Sequence, residues 1–89
     1  MRELEFSAEA QEALQGVRRR NPRLGERLDA ALDLAEADPP DQRAKRRGFS
    51  GGKYAIEVTL DSEEWLVIWA ENAIDLSSPR VYYIGPSFL

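Results

Sequence analysis

The stretch GFSGGKYAIEVTLDSEEWLVIWA, Gly48 to Ala70, decides the fold. Tyr54, Ile56, Val58 and Leu60 fall on alternate positions, which is the pattern of a strand with one buried face. Asp61, Ser62, Glu63 and Glu64 make a polar break where a chain reversal is expected. Trp65 to Ala70 is then apolar without interruption, as suits a strand covered on both faces. The stretch therefore reads as a β-hairpin with a half-buried first strand and a central second strand. Trp65 and Trp69 stand four apart on that second strand and share a face. Gly51-Gly52 lets the backbone turn or bulge just before the first strand.

The flanks supply what such a hairpin packs against. Arg2 to Phe6 reads as a short strand, with Leu4 and Phe6 on one side and Glu3 and Glu5 on the other. Ser7 is placed to cap a helix whose first turn carries Glu9 and Glu12, where the helix dipole favours anions. That helix presents Ala10, Ala13, Leu14 and Val17 at three- and four-residue spacing, and ends in Arg18, Arg19 and Arg20. Asn21-Pro22 closes it and opens the next, with Asn21 as cap and Pro22 at the first helical position. Leu24, Leu28, Ala31, Leu32 and Ala35 form the second apolar stripe, which Asp38-Pro39-Pro40 stops. Two amphipathic helices so tightly joined form an antiparallel hairpin laid on a sheet. Residues 39–48 are a polar, basic connector, Asn72 to Pro79 is a loop, and Arg80 to Ile84 is a last strand before Gly85-Pro86. The expected architecture is α+β, β-α-α-β-β-β, with the helical hairpin on a mainly antiparallel four-stranded sheet.

Composition narrows the chemistry. Eighty-nine residues suffice for one domain, 1–89, with one core. The chain has neither cysteine nor histidine, so thiolate chemistry, disulfides and the commonest metal ligand are excluded. Any catalysis rests on carboxylates, Lys, Arg, Tyr or Ser. Glu57, Glu63 and Glu64 surround a turn without the ligand spacing of a metal site, and no cofactor is expected. No apolar run approaches the ~20 residues of a membrane span, and the MRELEF start lacks the apolar core of a signal peptide. A cytosolic protein is expected.

The formal net charge is −4, unevenly spread. Residues 18–47 hold nine Lys or Arg against six Asp or Glu, whereas residues 51–89 hold only Lys53 and Arg80 against six carboxylates. Nucleic-acid affinity depends on cationic contacts to phosphate. The acidic balance of the sheet half argues against strong RNA or DNA affinity across the sheet.

In order and length the elements resemble the RelE/ParE superfamily of bacterial toxins, small proteins encoded beside an antitoxin. The residues that carry the resemblance are LEFSAEAQEAL at the start, the basic connector leading into FSGGKYAIEV, and the WLVIWA strand. The resemblance implies a cognate antitoxin partner. It also implies one of two targets, ribosome-bound mRNA cleaved by RelE-like members or DNA gyrase inhibited by ParE-like ones. RelE-like cleavage requires a base to take the proton of a ribose 2′-hydroxyl and cations to stabilise the charge that develops on the phosphate. The family's strand cations fall here on Ala55, Glu57 and Leu66. Lys53, Arg80 and Tyr82 remain as the catalytic candidates, with Lys45, Arg46 and Arg47 as candidate RNA contacts.

Each candidate has a plainer reading. Lys53 and Arg80 also suit solvated strand ends. If Tyr83 faces the core with Val81, Tyr82 is the exposed one, available for base stacking or proton transfer, or simply for a cross-strand contact. Arg18-Arg19-Arg20 and Lys45-Arg46-Arg47 suit phosphate, an acidic partner segment or solvent. Trp65 and Trp69 suit the core first and an antitoxin groove second. Two functions stay open: a toxin with ribosome-dependent endoribonuclease activity, and a non-catalytic protein-binding module on the same scaffold, whether gyrase inhibitor or degenerate toxin.

Overall fold

The computed structural model describes residues 2–89. In chain order they form β1 (Glu5–Phe6), α1 (Ala8–Arg20), α2 (Pro22–Glu36), a short 3-10 turn (Gln42–Lys45), β2 (Gly48–Phe49), β3 (Lys53–Leu60), β4 (Glu63–Ala70) and β5 (Arg80–Pro86). The sheet order is β1-β5-β4-β3-β2. β1 runs parallel to β5, and every other pair is antiparallel. The expected α+β arrangement is present with one strand more than expected. Gly48–Phe49 pairs with Lys53–Tyr54 across the Gly51-Gly52 turn, in which both glycines have positive φ. The first strand is shorter than the Arg2 to Phe6 expected, and the last runs on through Gly85 to Pro86.

Both helices begin as their caps dictate. Ser7 Oγ accepts the N–H of Ala10 at 3.1 Å, and the Asn21 side chain accepts that of Leu24 at 3.3 Å. The Asn21 N–H donates back to Val17 O at 2.7 Å, so one residue ends α1 and starts α2. Ala10, Leu14 and Val17 of α1 and Leu24, Leu28, Ala31, Leu32 and Ala35 of α2 are buried. Beneath them lies the face of the sheet built by Ile56, Val58, Leu60, Val67, Trp69, Val81 and Ile84. Trp69 is wholly buried, stacks on Tyr54 at 5.3 Å, and donates its indole N–H to Ala44 O at 2.9 Å. That bond clamps the 3-10 turn over the core and satisfies the one polar group the ring brings inside.

Arg2 is the one buried charged residue among those described. Its guanidinium donates to Ala35 O at 2.5 Å, Ala37 O at 3.2 Å and Leu76 O at 3.2 Å, and pairs with Glu71. It therefore caps the C-terminus of α2, where the last carbonyls lack intrahelical partners, and ties that end to the β4–β5 loop. Glu71 also meets Lys45 Nζ at 3.1 Å. Partial burial raises the Glu71 carboxyl, but hydrogen bonds from Arg2 and Lys45 outweigh it and hold the group below its usual value. Among the described residues no helix is long and apolar enough to cross a membrane.

Candidate functional site

The sheet face opposite the helices holds the candidates. Cross-strand pairing places Ala55 beside Ile68, Glu57 beside Leu66, Ile68 beside Tyr83, Leu66 beside Gly85 and Ala70 beside Arg80. Lys53, two residues before Ala55 on β3, belongs to the same face. At its centre Ala55, Leu66 and Ile68 form a second, smaller apolar cluster, bordered by Phe49 and Tyr83. Phe88 packs edge-on against Phe49 at 6.0 Å and Tyr83 at 5.3 Å, so the segment after β5 bends back beside this cluster.

At the Lys53–Arg80 end the face is polar. Lys53 Nζ lies 5.1 Å from the centre of the Tyr82 ring, and the Arg80 guanidinium carbon lies 5.8 Å from it. The three residues selected from the sequence therefore converge on one spot, drawn from β3 and β5. Tyr82 reaches it because β5 bulges there: Trp69 pairs with Val81 and Ile68 with Tyr83, leaving Tyr82 as the extra residue. Its carbonyl accepts the Ser7 hydroxyl at 3.0 Å, and the Ser7 N–H donates to Val81 O at 2.9 Å. The cap of α1 thus also pins the bulge.

The bulge changes one expectation. Val81 faces the main core and Tyr82 is exposed, but Tyr83 joins the opposite face instead of sharing Val81's. An extra residue between Val81 and Tyr83 shifts the alternation by one, so two residues of the same parity end on opposite sides. Tyr83 lies along the sheet, with its hydroxyl donating to Pro86 O at 2.9 Å.

The basic connector separates into individual roles. Lys45 binds Glu71 and sits 5.4 Å from the Tyr54 ring, on the helix side of the sheet. Arg47 pairs with Glu57 on the open side. Arg43 pairs with Asp41 at 3.0 Å, and those hydrogen bonds lower the Asp41 carboxyl to about 2. Arg46 is exposed and lines, with Arg43 and Arg47, a cleft of about 380 Å³ at the β3 edge. Lys45, Arg46 and Arg47 are therefore not one surface. Arg18 is paired with Asp29 at 2.6 Å across the helical hairpin. Sequence reasoning missed Arg2 and Glu71, whose partners lie far from them in the sequence.

No protein-family model matches the chain, and no curated protein matches it. Among solved structures it is similar to a chain of the intact E. coli RelBE toxin–antitoxin complex. The TM-score is 0.71 and the identity 18%, with all of both chains covered. The likeness establishes a RelE-like fold, the one the sequence resemblance implies.

Proposed function

We propose that this chain is the toxin component of a type II toxin–antitoxin pair, acting in the cytosol and neutralised by a cognate antitoxin, and that it cleaves ribosome-bound mRNA. The observation that carries the reading is the convergence of Lys53 and Arg80 on Tyr82. Two cations beside one exposed phenol are what a phosphodiester needs: charge to hold the phosphate and balance the negative charge of the transition state, and an aromatic face or hydroxyl beside the nucleotide. In the reaction the ribose 2′-hydroxyl gives its proton to water as its oxygen attacks the adjacent phosphorus, and the bond to the 5′-oxygen breaks, leaving a 2′,3′-cyclic phosphate and a 5′-hydroxyl. Tyr82 Oη is the group at the spot that can give the departing 5′-oxygen its proton, and Lys53 and Arg80 are the cations that balance the charge on the phosphate. The RelE-like fold supports the toxin reading, since the similar chain comes from a toxin–antitoxin complex.

Induced expression in a bacterium lacking the antitoxin should arrest growth. With ribosomes and mRNA supplied, Arg80→Ala and Tyr82→Phe should each lower cleavage by at least about tenfold if they act in the transition state. Cleavage that is unchanged in both variants removes Arg80 and Tyr82 from the site, and no cleavage by the unaltered chain removes the enzymatic reading.

One observation favours a second reading. Ala55, Leu66 and Ile68 form an apolar patch against which Phe49, Tyr83 and Phe88 gather, where a nuclease of this fold would be expected to carry cations. A non-catalytic toxin-like protein, including a gyrase inhibitor, would retain growth arrest without mRNA cleavage. Inhibition of gyrase supercoiling by purified protein would select that target.

A further inference from the structure

We infer that Ser7 is a positioning residue for Tyr82: its hydroxyl holds the β5 bulge that presents the Tyr82 ring to Lys53 and Arg80. The inference rests on the cleavage reading of that spot and assigns the group that sets its geometry. In an unbroken strand successive carbonyls point to opposite neighbours. Here Val81 O accepts the Ser7 N–H at 2.9 Å and Tyr82 O accepts the Ser7 hydroxyl at 3.0 Å, so two successive carbonyls turn to one residue. β4 has no residue opposite Tyr82, because Trp69 pairs with Val81 and Ile68 with Tyr83. The bulged residue is left out of that ladder, and the Ser7 side chain supplies its carbonyl with a donor instead.

Two jobs together specify the residue. The bond from the Ser7 N–H only continues the parallel ladder, after that from the Glu5 N–H to Pro79 O at 2.8 Å, and every residue but proline can make it. The Ser7 oxygen also accepts the Ala10 N–H at 3.1 Å as the cap of α1. Capping needs an acceptor, and the tie to Tyr82 O needs a donor. A hydroxyl is both on one atom, whereas a carboxylate is an acceptor only.

The tie leads directly to the site. The carbonyl and the ring of Tyr82 branch from one Cα, so the hydroxyl that orients the carbonyl also limits the swing of the ring. Tyr82 is 42% exposed, and packing alone leaves its ring room to turn. With the bond in place, the ring centre stands 5.1 Å from Lys53 Nζ and 5.8 Å from the Arg80 guanidinium carbon. Arg80 is held by the same junction, since it pairs with Glu5, two residues before Ser7. A misplacement of about 1 Å at a reacting group costs on the order of a hundredfold in rate.

The test compares Ser7→Asp, Ser7→Gly and Ser7→Thr in the full chain. Ser7→Asp keeps the cap and loses the donor, Ser7→Gly caps nearly as well as serine without a hydroxyl, and Ser7→Thr keeps both roles. Asn21→Ala, which removes the cap of α2 at the far end of α1, is the control for lost capping. In NMR of the isotope-labelled chain, cross-relaxation between the Tyr82 ring and the Lys53 side chain should be lost in Ser7→Asp and Ser7→Gly and kept in Ser7→Thr and Asn21→Ala. In ribosome-dependent mRNA cleavage, kcat should fall by at least about tenfold in the first two, with KM little changed, and recover in Ser7→Thr. An undisturbed Tyr82–Lys53 contact in both Ser7→Asp and Ser7→Gly would overturn the inference, as would an unchanged kcat once that contact is lost. So would a Ser7→Thr chain as slow as Ser7→Asp, or an Asn21→Ala chain slowed equally at matched stability. Absence of cleavage by the unaltered chain would sink the cleavage reading instead, and the NMR comparison still decides whether Ser7 sets the position of Tyr82.

Discussion

Tyr83 lies across Gly85, two residues further along the same strand. A Cβ on Gly85 would stand 2.5 Å from the Tyr83 hydroxyl oxygen and 2.7 Å from its ring carbon, closer than carbon tolerates. The ring cannot slide along the sheet, because its hydroxyl is bound to Pro86 O and Phe88 packs on its edge. Gly85→Ala must therefore lift Tyr83 off the face and unseat Phe88. We expect a loss of roughly 1 kcal/mol, the low end of the range for overpacking, because the ring lies on a partly exposed face. The check is a denaturant series on both single variants and the pair: in a Tyr83→Ala background the Gly85→Ala change should cost little, the non-additivity expected of residues in contact.

Arg2 and Glu71 make a prediction about acidity. The Glu71 carboxyl is depressed in the folded protein, so the folded state binds its proton more weakly than the unfolded chain does. The stability it contributes is complete above the unfolded carboxylate value of about 4.3 and disappears as the pH falls through the folded value. Glu71→Gln should cost roughly 1–3 kcal/mol at neutral pH, since it leaves the buried guanidinium without its counter-charge. Unfolding measured from pH 7 downward should show the two proteins converging on the acid side. A gap that stays constant to low pH would show that the carboxylate's charge is irrelevant.

These two sites also show where the sequence was readable. The hairpin, both helices, their caps and the shared face of Trp65 and Trp69 follow from local rules: alternation, spacing and a polar atom at a helix start. The bulge does not, because it is set by how β5 registers on β4, and a Val-Tyr-Tyr-Ile string carries no mark of an extra residue. β2 is too short for any period to appear, and is defined by backbone bonds alone. Arg2 looks like an ordinary terminal charge until the end of α2 and the β4–β5 loop are brought to it. For the bulge and for Arg2, what sequence could not supply was a contact between separated segments.

Phe88 offers a third expectation. It is more than half exposed, yet its ring meets both Phe49 and Tyr83 beside the small cluster of Ala55, Leu66 and Ile68. Phe88→Ser should lower stability only modestly, by about 1 kcal/mol, because much of the ring is already wet. It should also uncover the patch and raise binding of an apolar dye to the folded protein. A drop of several kcal/mol would instead make Phe88 part of the main core.

The last prediction separates Lys53's position from its mere presence. Gly51 and Gly52 have nearly equal positive φ, 79° and 75°, so alanine at either strains the backbone by a similar amount, about 1 kcal/mol. Their surroundings differ. A Cβ at Gly51 would meet Lys53 Nζ at 3.1 Å, whereas one at Gly52 meets nothing within 4 Å. Gly51→Ala therefore shifts the ammonium by a few tenths of an ångström from its place beside Tyr82, and Gly52→Ala leaves it there. If Lys53 acts from that position, the two variants should show matched melting temperatures but unequal activity, in growth arrest and in mRNA cleavage, with Gly51→Ala the weaker. Addition of Lys53→Ala should then abolish the difference between them, because no ammonium remains to be displaced. Equal activity of the two glycine variants, at matched stability, would mean that the location of the Lys53 ammonium does not matter to function.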